Sequence, residues 1–188
     1  MPAQSPLKID TATGLALGTR QVLSPHFDAR PAGTLADLIV VHGISLPPGE
    51  FGGPWIDRLF TGNLPPDVHP FFQSIAGGRV SAHALIRRDG EIVQYVPFAQ
   101  RAWHAGKSEF GGRTACNDFS IGIELEGTDD VPYETAQYES LVVLIKALLA
   151  AYPSLTPDRI AGHDAIAPGR KTDPGASFDW PRLRAGLR

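Results

Sequence analysis

The segment Gly162-His163-Asp164, followed by Pro168-Gly169-Arg170-Lys171-Thr172-Asp173-Pro174-Gly175, gathers a histidine, a lysine and an aspartate into a short stretch punctuated by proline and glycine. Such a stretch builds a poor core but can hold polar side chains around one point. Neutral imidazole and carboxylate oxygen both bind first-row metals, and zinc in hydrolases takes both. Lys171 and Asp173 are two residues apart, so in an extended chain their side chains point the same way. An ammonium would then stand beside a ligating carboxylate, where hydrolysis develops negative charge. A second histidine, His42, ends the apolar run Leu38-Ile39-Val40-Val41, and strand ends that run into loops are where sites are usually built. His42, His163 and Asp173 form a set that suits a catalytic zinc with three protein ligands and a fourth position open to water. A zinc so held lowers the pKa of water to roughly 7 and polarises a carbonyl. Spacing alone does not bring residue 42 to residues 163 and 173. Taken singly, His42 also reads as a core histidine, His163 as a loop residue bonded to local backbone, and Asp173 as a turn former before Pro174.

Other residues extend the set. Glu124 lies on the face of an alternating segment opposite Ile121, Ile123 and Leu125, with Gly122 and Gly127 leaving room near it. A glutamate there could take a proton from the attacking water and return it to a leaving amine, worth typically about 10²–10⁴-fold in rate. Glu126, on the same face, reads as a solvated strand residue. Lys171 could stabilise an oxyanion, a contribution of about 3–4 kcal/mol in hydrolases that lose one such donor, or be an ordinary surface lysine. Trp103 and His104 could line a substrate cleft, and Arg79 and Asn117 could contact ligand, although each also fits a structural or surface role. His83 sits within a strand pattern and takes no role. Cys116 has no histidine motif beside it and reads as a small buried apolar residue.

These residues need elements to position them. Leu38 to His42 reads as a buried strand. Val80–Ile86 and Ile92–Val96 flank Asp89-Gly90 and predict a hairpin. Ser120 to Gly127 alternates as a strand. Tyr133 to Tyr152 carries the apolar stripe Tyr138, Leu141, Val142, Ile145, Leu148 and Leu149, a helix that Pro153 ends. A short helix is expected near Trp55–Phe60, and a last one near Asp179 with Pro181 early in it. Residues 1–36 read as a loosely organised arm, most clearly over 1–23. Residues 45–75, rich in proline and glycine, read as a long functional loop or lid. The expected fold class is α/β (α+β): one domain over 1–188 with a mixed central β-sheet flanked by helices.

Composition sets bounds. The chain has 188 residues, 43% hydrophobic and 20% charged, with a formal net charge of -3. That suits one soluble globular domain and gives no basic footprint for nucleic acid. One cysteine excludes an internal disulfide and a cysteine metal cluster. No stretch resembles a signal peptide or is long enough to span a bilayer, so a cytoplasmic location and no membrane partner are expected.

The motifs together resemble the AmpD family, the 1,6-anhydro-N-acetylmuramyl-L-alanine amidases of bacterial cell-wall recycling. The matching stretches are Ser24 to Pro31, Val41-His42, Ile44 to Gly49, Phe51-Gly52-Gly53, Arg79 to His83, Arg101 to Gly106, Cys116 to Gly127, Gly162-His163 and Lys171 to Gly175, in colinear order. The resemblance implies the fold of the phage-lysozyme-type amidases and peptidoglycan-recognition proteins. It implies zinc ligands at His42, His163 and Asp173, a catalytic carboxylate at Glu124 and an active-site lysine at Lys171. It further implies cleavage between the lactyl group of a muramic acid and L-alanine in a small soluble anhydromuropeptide, with a link to β-lactamase induction in some bacteria. A monomer is expected. Two positions depart from the family pattern: Gly43 stands where asparagine is common, and Ala115 where arginine is common. Both are associated with substrate contacts, so the departures bear on stem-peptide preference and not on metal chemistry. The competing functions are a non-catalytic muropeptide-binding module and a hydrolase of intact peptidoglycan.

Overall fold

The β-branched run at residue 38 opens a strand that runs to Ile44 and lies inside a six-stranded sheet. The computed structural model describes residues 7–188. In chain order the strands are β1 (Ile9–Asp10), β2 (Leu15–Ala16), β3 (Arg20–Gln21), β4 (Phe27–Asp28), β5 (Leu38–Ile44), β6 (Ala84–Ile86), β7 (Ile92–Gln94), β8 (Arg101–Ala102), β9 (Glu109–Phe110), β10 (Arg113–Thr114), β11 (Ser120–Glu126) and β12 (Ile160–Gly162). The helices are α1 (Trp55–Phe60), α2 (Pro70–Ile75), α3 (Thr135–Ala151), α4 (His163–Ile166) and α5 (Trp180–Leu187). The main sheet has the order β12-β5-β11-β6-β7-β3. Neighbours from β12 to β6 are parallel, β6 and β7 are antiparallel, and β3 is parallel to β7. This is the expected mixed sheet with helices against it.

Both central strands are covered on two faces, as parallel strands require. Ile39, Val41, Ile121, Ile123 and Leu125 pack against Leu141, Leu144, Ile145 and Leu148 of α3. Glu134 and Gln137 form a reciprocal capping box at the start of that helix. The Asp89-Gly90 hairpin closes β6 onto β7, with Gly90 at φ 88° where only glycine is comfortable. Asp179 caps α5 by accepting from Arg182 N at 2.9 Å, with Pro181 in the first turn.

Three expectations need correction. The N-terminal arm is not loose over residues 9–21. β1 and β2 pair, β3 joins the main sheet, and the buried Gln94 amide binds Ala16 N at 2.7 Å and Gly14 O at 2.9 Å. Two-residue strands leave no periodic trace, and the partner of β3 is distant in sequence. Residues 1–6 of the arm lie outside the described residues. The 45–75 stretch contains two helices rather than one, and Ile56, Leu59, Phe60 and Phe72 bury against Leu85, Val93 and Tyr95.

The third correction concerns Glu126, which is buried rather than solvated. Its carboxylate accepts from Gly52 N at 2.7 Å, Arg88 N at 3.3 Å and Arg87 Nη1 at 3.3 Å, while Arg87 also binds Gly53 O and Asp57. The 45–75 stretch covers this face, so the polar side of β11 becomes an internal anchor. Glu126→Ala is expected to lower unfolding free energy by about 3 kcal/mol, the low end for a broken buried pair, because Asp57 still faces Arg87. Urea unfolding measures this, and limited proteolysis should cut sooner within 45–75. A loss below about 1 kcal/mol would place the pair with weak surface bridges.

Candidate metal centre and active site

Sheet register explains how two distant histidines meet. Gly162, the last residue of β12, pairs with Val41 of β5, so the next residues along the chain, His163 at the start of α4 and His42, stand beside each other. Glu124 of β11 pairs with His42 on the opposite side. In-register residues of parallel neighbours project to the same face. Three parallel strands therefore deliver His163, His42 and Glu124 to one end of the sheet. Asp173 arrives on the following turn, tied to the start of α4 by Asp164 N donating to Asp173 O at 2.9 Å.

The predicted ligands converge. His42 Nδ1 is 3.0 Å from His163 Nδ1 and 3.2 Å from Asp173 Oδ2, and His163 Nδ1 is 3.1 Å from the same oxygen. A tetrahedral zinc with bonds of about 2.05 Å separates its ligand atoms by roughly 3.3 Å. The triangle is close to that size, and two imidazole nitrogens with one carboxylate oxygen are a zinc donor set. His163 Nε2 lies 3.2 Å from Ala105 O. A carbonyl only accepts, so that nitrogen carries the proton and Nδ1 faces the triangle with a lone pair. The residues present therefore fit a zinc ion.

Electrostatics sharpen the picture. Burial opposes ionisation of Asp173, but the adjoining His163 and His42 imidazoles outweigh it and hold the carboxyl below its usual range. Burial pushes His42 down to about 4, which keeps it a neutral ligand. Glu124 is pushed well above the ordinary carboxylate range by burial, then by Asp173, with Lys171 opposing. Its Oε2 is buried with no hydrogen-bond partner. An orphaned carboxylate oxygen beside a ligand triangle is costly unless it has work to do. Lys171 is exposed, and its charge acts on both Glu124 and His42.

The proposed substrate-contact residues divide. Arg79 is exposed between α2 and β6. Trp103 is half-buried, its indole donating to Asp28 at 3.1 Å. Gly43 borders a cleft of about 410 Å³ with Leu46, Phe71 and Val80, and any side chain on it would overlap the Tyr133 hydroxyl. Asn117 and His104, both half-buried, bond to other groups of the protein. Asn117 Oδ1 accepts from His104 N at 3.1 Å and Ala105 N at 2.7 Å. His104 meets His42 with one ring nitrogen and Ser120 with the other. The space at Gly122 and Gly127, expected to serve Glu124, is taken by the His104 and Tyr133 rings. Ala115 is exposed, with a left-handed φ of 59°. Cys116 is buried, and burial pushes its thiol up, which suits no nucleophile.

Sequence reasoning missed Ala105 O, Ser120 and Arg30. Arg30 is half-buried, is brought down to about 10 by desolvation, and donates to the carbonyls of Phe98, Asn117, Asp118 and Ser120. Its place in the colinear motif Ser24 to Pro31 was the available signal, though nothing there indicated its partners.

The sequence family described as N-acetylmuramoyl-L-alanine amidase matches residues 32–176. The chain belongs to that family. Among relatives of this amidase is the 1,6-anhydro-N-acetylmuramyl-L-alanine amidase AmpD of Escherichia coli (strain K12), 62% identical over 171 residues, covering 91% of this chain and 93% of the relative. Among solved structures, the crystal structure of a Se-Met AmpD derivative superposes with a TM-score of 0.92 at 59% identity, covering 96% of this amidase and 99% of that chain. A complex of the Escherichia coli amidase AmiD with the substrate anhydro-N-acetylmuramic acid-L-Ala-D-gamma-Glu-L-Lys has a TM-score of 0.58 at 28% identity, covering 96% of this chain and 65% of that one. No helix of the described residues is long and apolar enough to cross a membrane.

Proposed function

We propose that this amidase is a zinc enzyme of peptidoglycan recycling. It acts as a cytoplasmic monomer and hydrolyses the amide between the lactyl group of 1,6-anhydro-N-acetylmuramic acid and L-alanine in soluble muropeptides. The observation that carries this reading is the closed triangle of His42 Nδ1, His163 Nδ1 and Asp173 Oδ2 beside the buried, unpartnered Glu124. The substrate named for the similar AmpD and AmiD proteins supports the choice of bond. In bacteria where loss of this activity is linked to β-lactamase induction, the same role follows.

His42, His163 and Asp173 hold the zinc, which supplies Lewis acidity toward the lactyl carbonyl and toward water. Glu124 accepts the proton of the attacking water and later gives it to the departing L-alanine nitrogen. Burial raises its pKa from the ordinary carboxylate range, the direction that favours both taking and returning a proton. Lys171 places positive charge where the oxyanion develops. Arg79 and Trp103 are the side chains assigned to substrate contact. Gly43 and Ala115 offer no polar side chain for contacts to the peptide stem, so stem preference rests on other groups.

Mass spectrometry of a defined anhydromuropeptide tests the proposal. Free stem peptide is expected, its release stopped by a chelator and restored by zinc. Intact sacculi in a parallel incubation should be cut far more slowly. Stoichiometric zinc with no turnover would indicate a binding module instead, and preferential release from sacculi a wall hydrolase.

A further inference from the structure

A hydrogen-bond chain behind the ligand triangle decides which nitrogen of His42 faces it. Ser120 Oγ has one proton, and it is given to Cys116 O at 2.6 Å, a carbonyl that can only accept. Ser120 Oγ is thus left to accept from His104 Nε2, 3.2 Å away, so Nε2 is the protonated nitrogen of that ring. His104 Nδ1 then carries a lone pair. It is directed at His42 Nε2 at 2.9 Å, which must therefore hold the His42 proton. What remains on His42 is an Nδ1 lone pair, turned toward His163 and Asp173.

The surroundings are built around the His104 ring. Its backbone N–H is held by Asn117 Oδ1 at 3.1 Å. The ring stands edge-on to His42, with centroids 4.9 Å apart at 88°. It lies over Gly122, where any Cβ would overlap it. Ligating histidines commonly have their second nitrogen fixed by an outer partner, whose loss costs about 10–100-fold in metal affinity or activity.

We propose that His104 is a positioning residue, which together with Ser120 and Cys116 O sets the His42 tautomer and so prepares Nδ1 for the metal. This rests on the reading of His42, His163 and Asp173 as a zinc centre. It replaces a substrate contact for His104 with a role exerted through His42. Gly122 is part of the same device, because the ring occupies its missing side chain.

The test uses the full chain, with zinc affinity measured by competition with a chromophoric chelator and ring tautomers read by two-bond ¹H–¹⁵N correlation. In the wild type, His104 should be protonated on Nε2. His104→Leu is expected to weaken zinc binding by about 10–100-fold. His104→Asn, whose Oδ1 can replace Nδ1 as acceptor, should recover most of that loss. Ser120→Ala, a small change that tests the chain should the leucine variant fail to fold, should mix the His104 tautomers and weaken zinc binding in the same direction. Wild-type affinity in both His104→Leu and Ser120→Ala, or a wild-type His104 protonated on Nδ1, would overturn the inference while leaving the zinc centre standing. A wild type that binds no zinc would overturn the centre itself.

Discussion

Glu124→Gln is expected to lower anhydromuropeptide turnover by about 10²–10⁴-fold while one zinc ion per chain stays bound. Glutamine keeps the volume of the side chain and removes its basicity. The geometry separates base from ligand. Glu124 pairs in register with His42, yet the ligand triangle is made by His42, His163 and Asp173 without it. Its Oε2 has no partner, and burial holds its carboxyl well above the usual range. Replacing that group with an amide of the same volume leaves no ionisable group at the buried position, so thermal stability should hold or rise. Retained turnover would eliminate Glu124 as the base. Loss of zinc together with turnover would make it a ligand instead.

Asp173→Ala is expected to weaken zinc binding by more than the about 10–100-fold caused by losing an outer-shell partner, and to abolish turnover. Asp173 supplies the only carboxylate oxygen of the triangle, 3.2 Å from Nδ1 of His42 and 3.1 Å from Nδ1 of His163. Without it, two neutral imidazoles remain. Asp173→Asn keeps an oxygen of similar placement without the charge and should fall between the two. Zinc titration of each variant measures this, and wild-type affinity in the alanine variant would contradict the assignment.

The elements nearest the chemistry were the most legible in the sequence. β5 showed as a β-branched run, β11 as an alternation, α3 as a 3.6-residue stripe, and the β6–β7 turn as Asp-Gly. Periodicity and turn chemistry are local, so they survive in one dimension. Ligand types were also legible at His42, His163 and Asp173, but their meeting was not. It depends on β12, three residues long, pairing Gly162 with Val41, and three residues carry no readable period. The reversal at Glu126 has the same origin. Alternation assigns a face but not what covers it, and here Gly52 and Arg87 cover it. For His104 and Asn117 the sequence offered only polar character near a motif. Their partners, His42, Ser120 and the 104–105 backbone, are tertiary or turn contacts that spacing does not reveal.

The convergence of three remote side chains on one cation is tested most directly by anomalous diffraction at the zinc edge from crystals of the zinc-loaded chain. A single peak bounded by Nδ1 of His42, Nδ1 of His163 and Oδ2 of Asp173, with a solvent site beside Glu124, is the predicted result. A zinc peak elsewhere, or none at that triangle with the metal in excess, would contradict it.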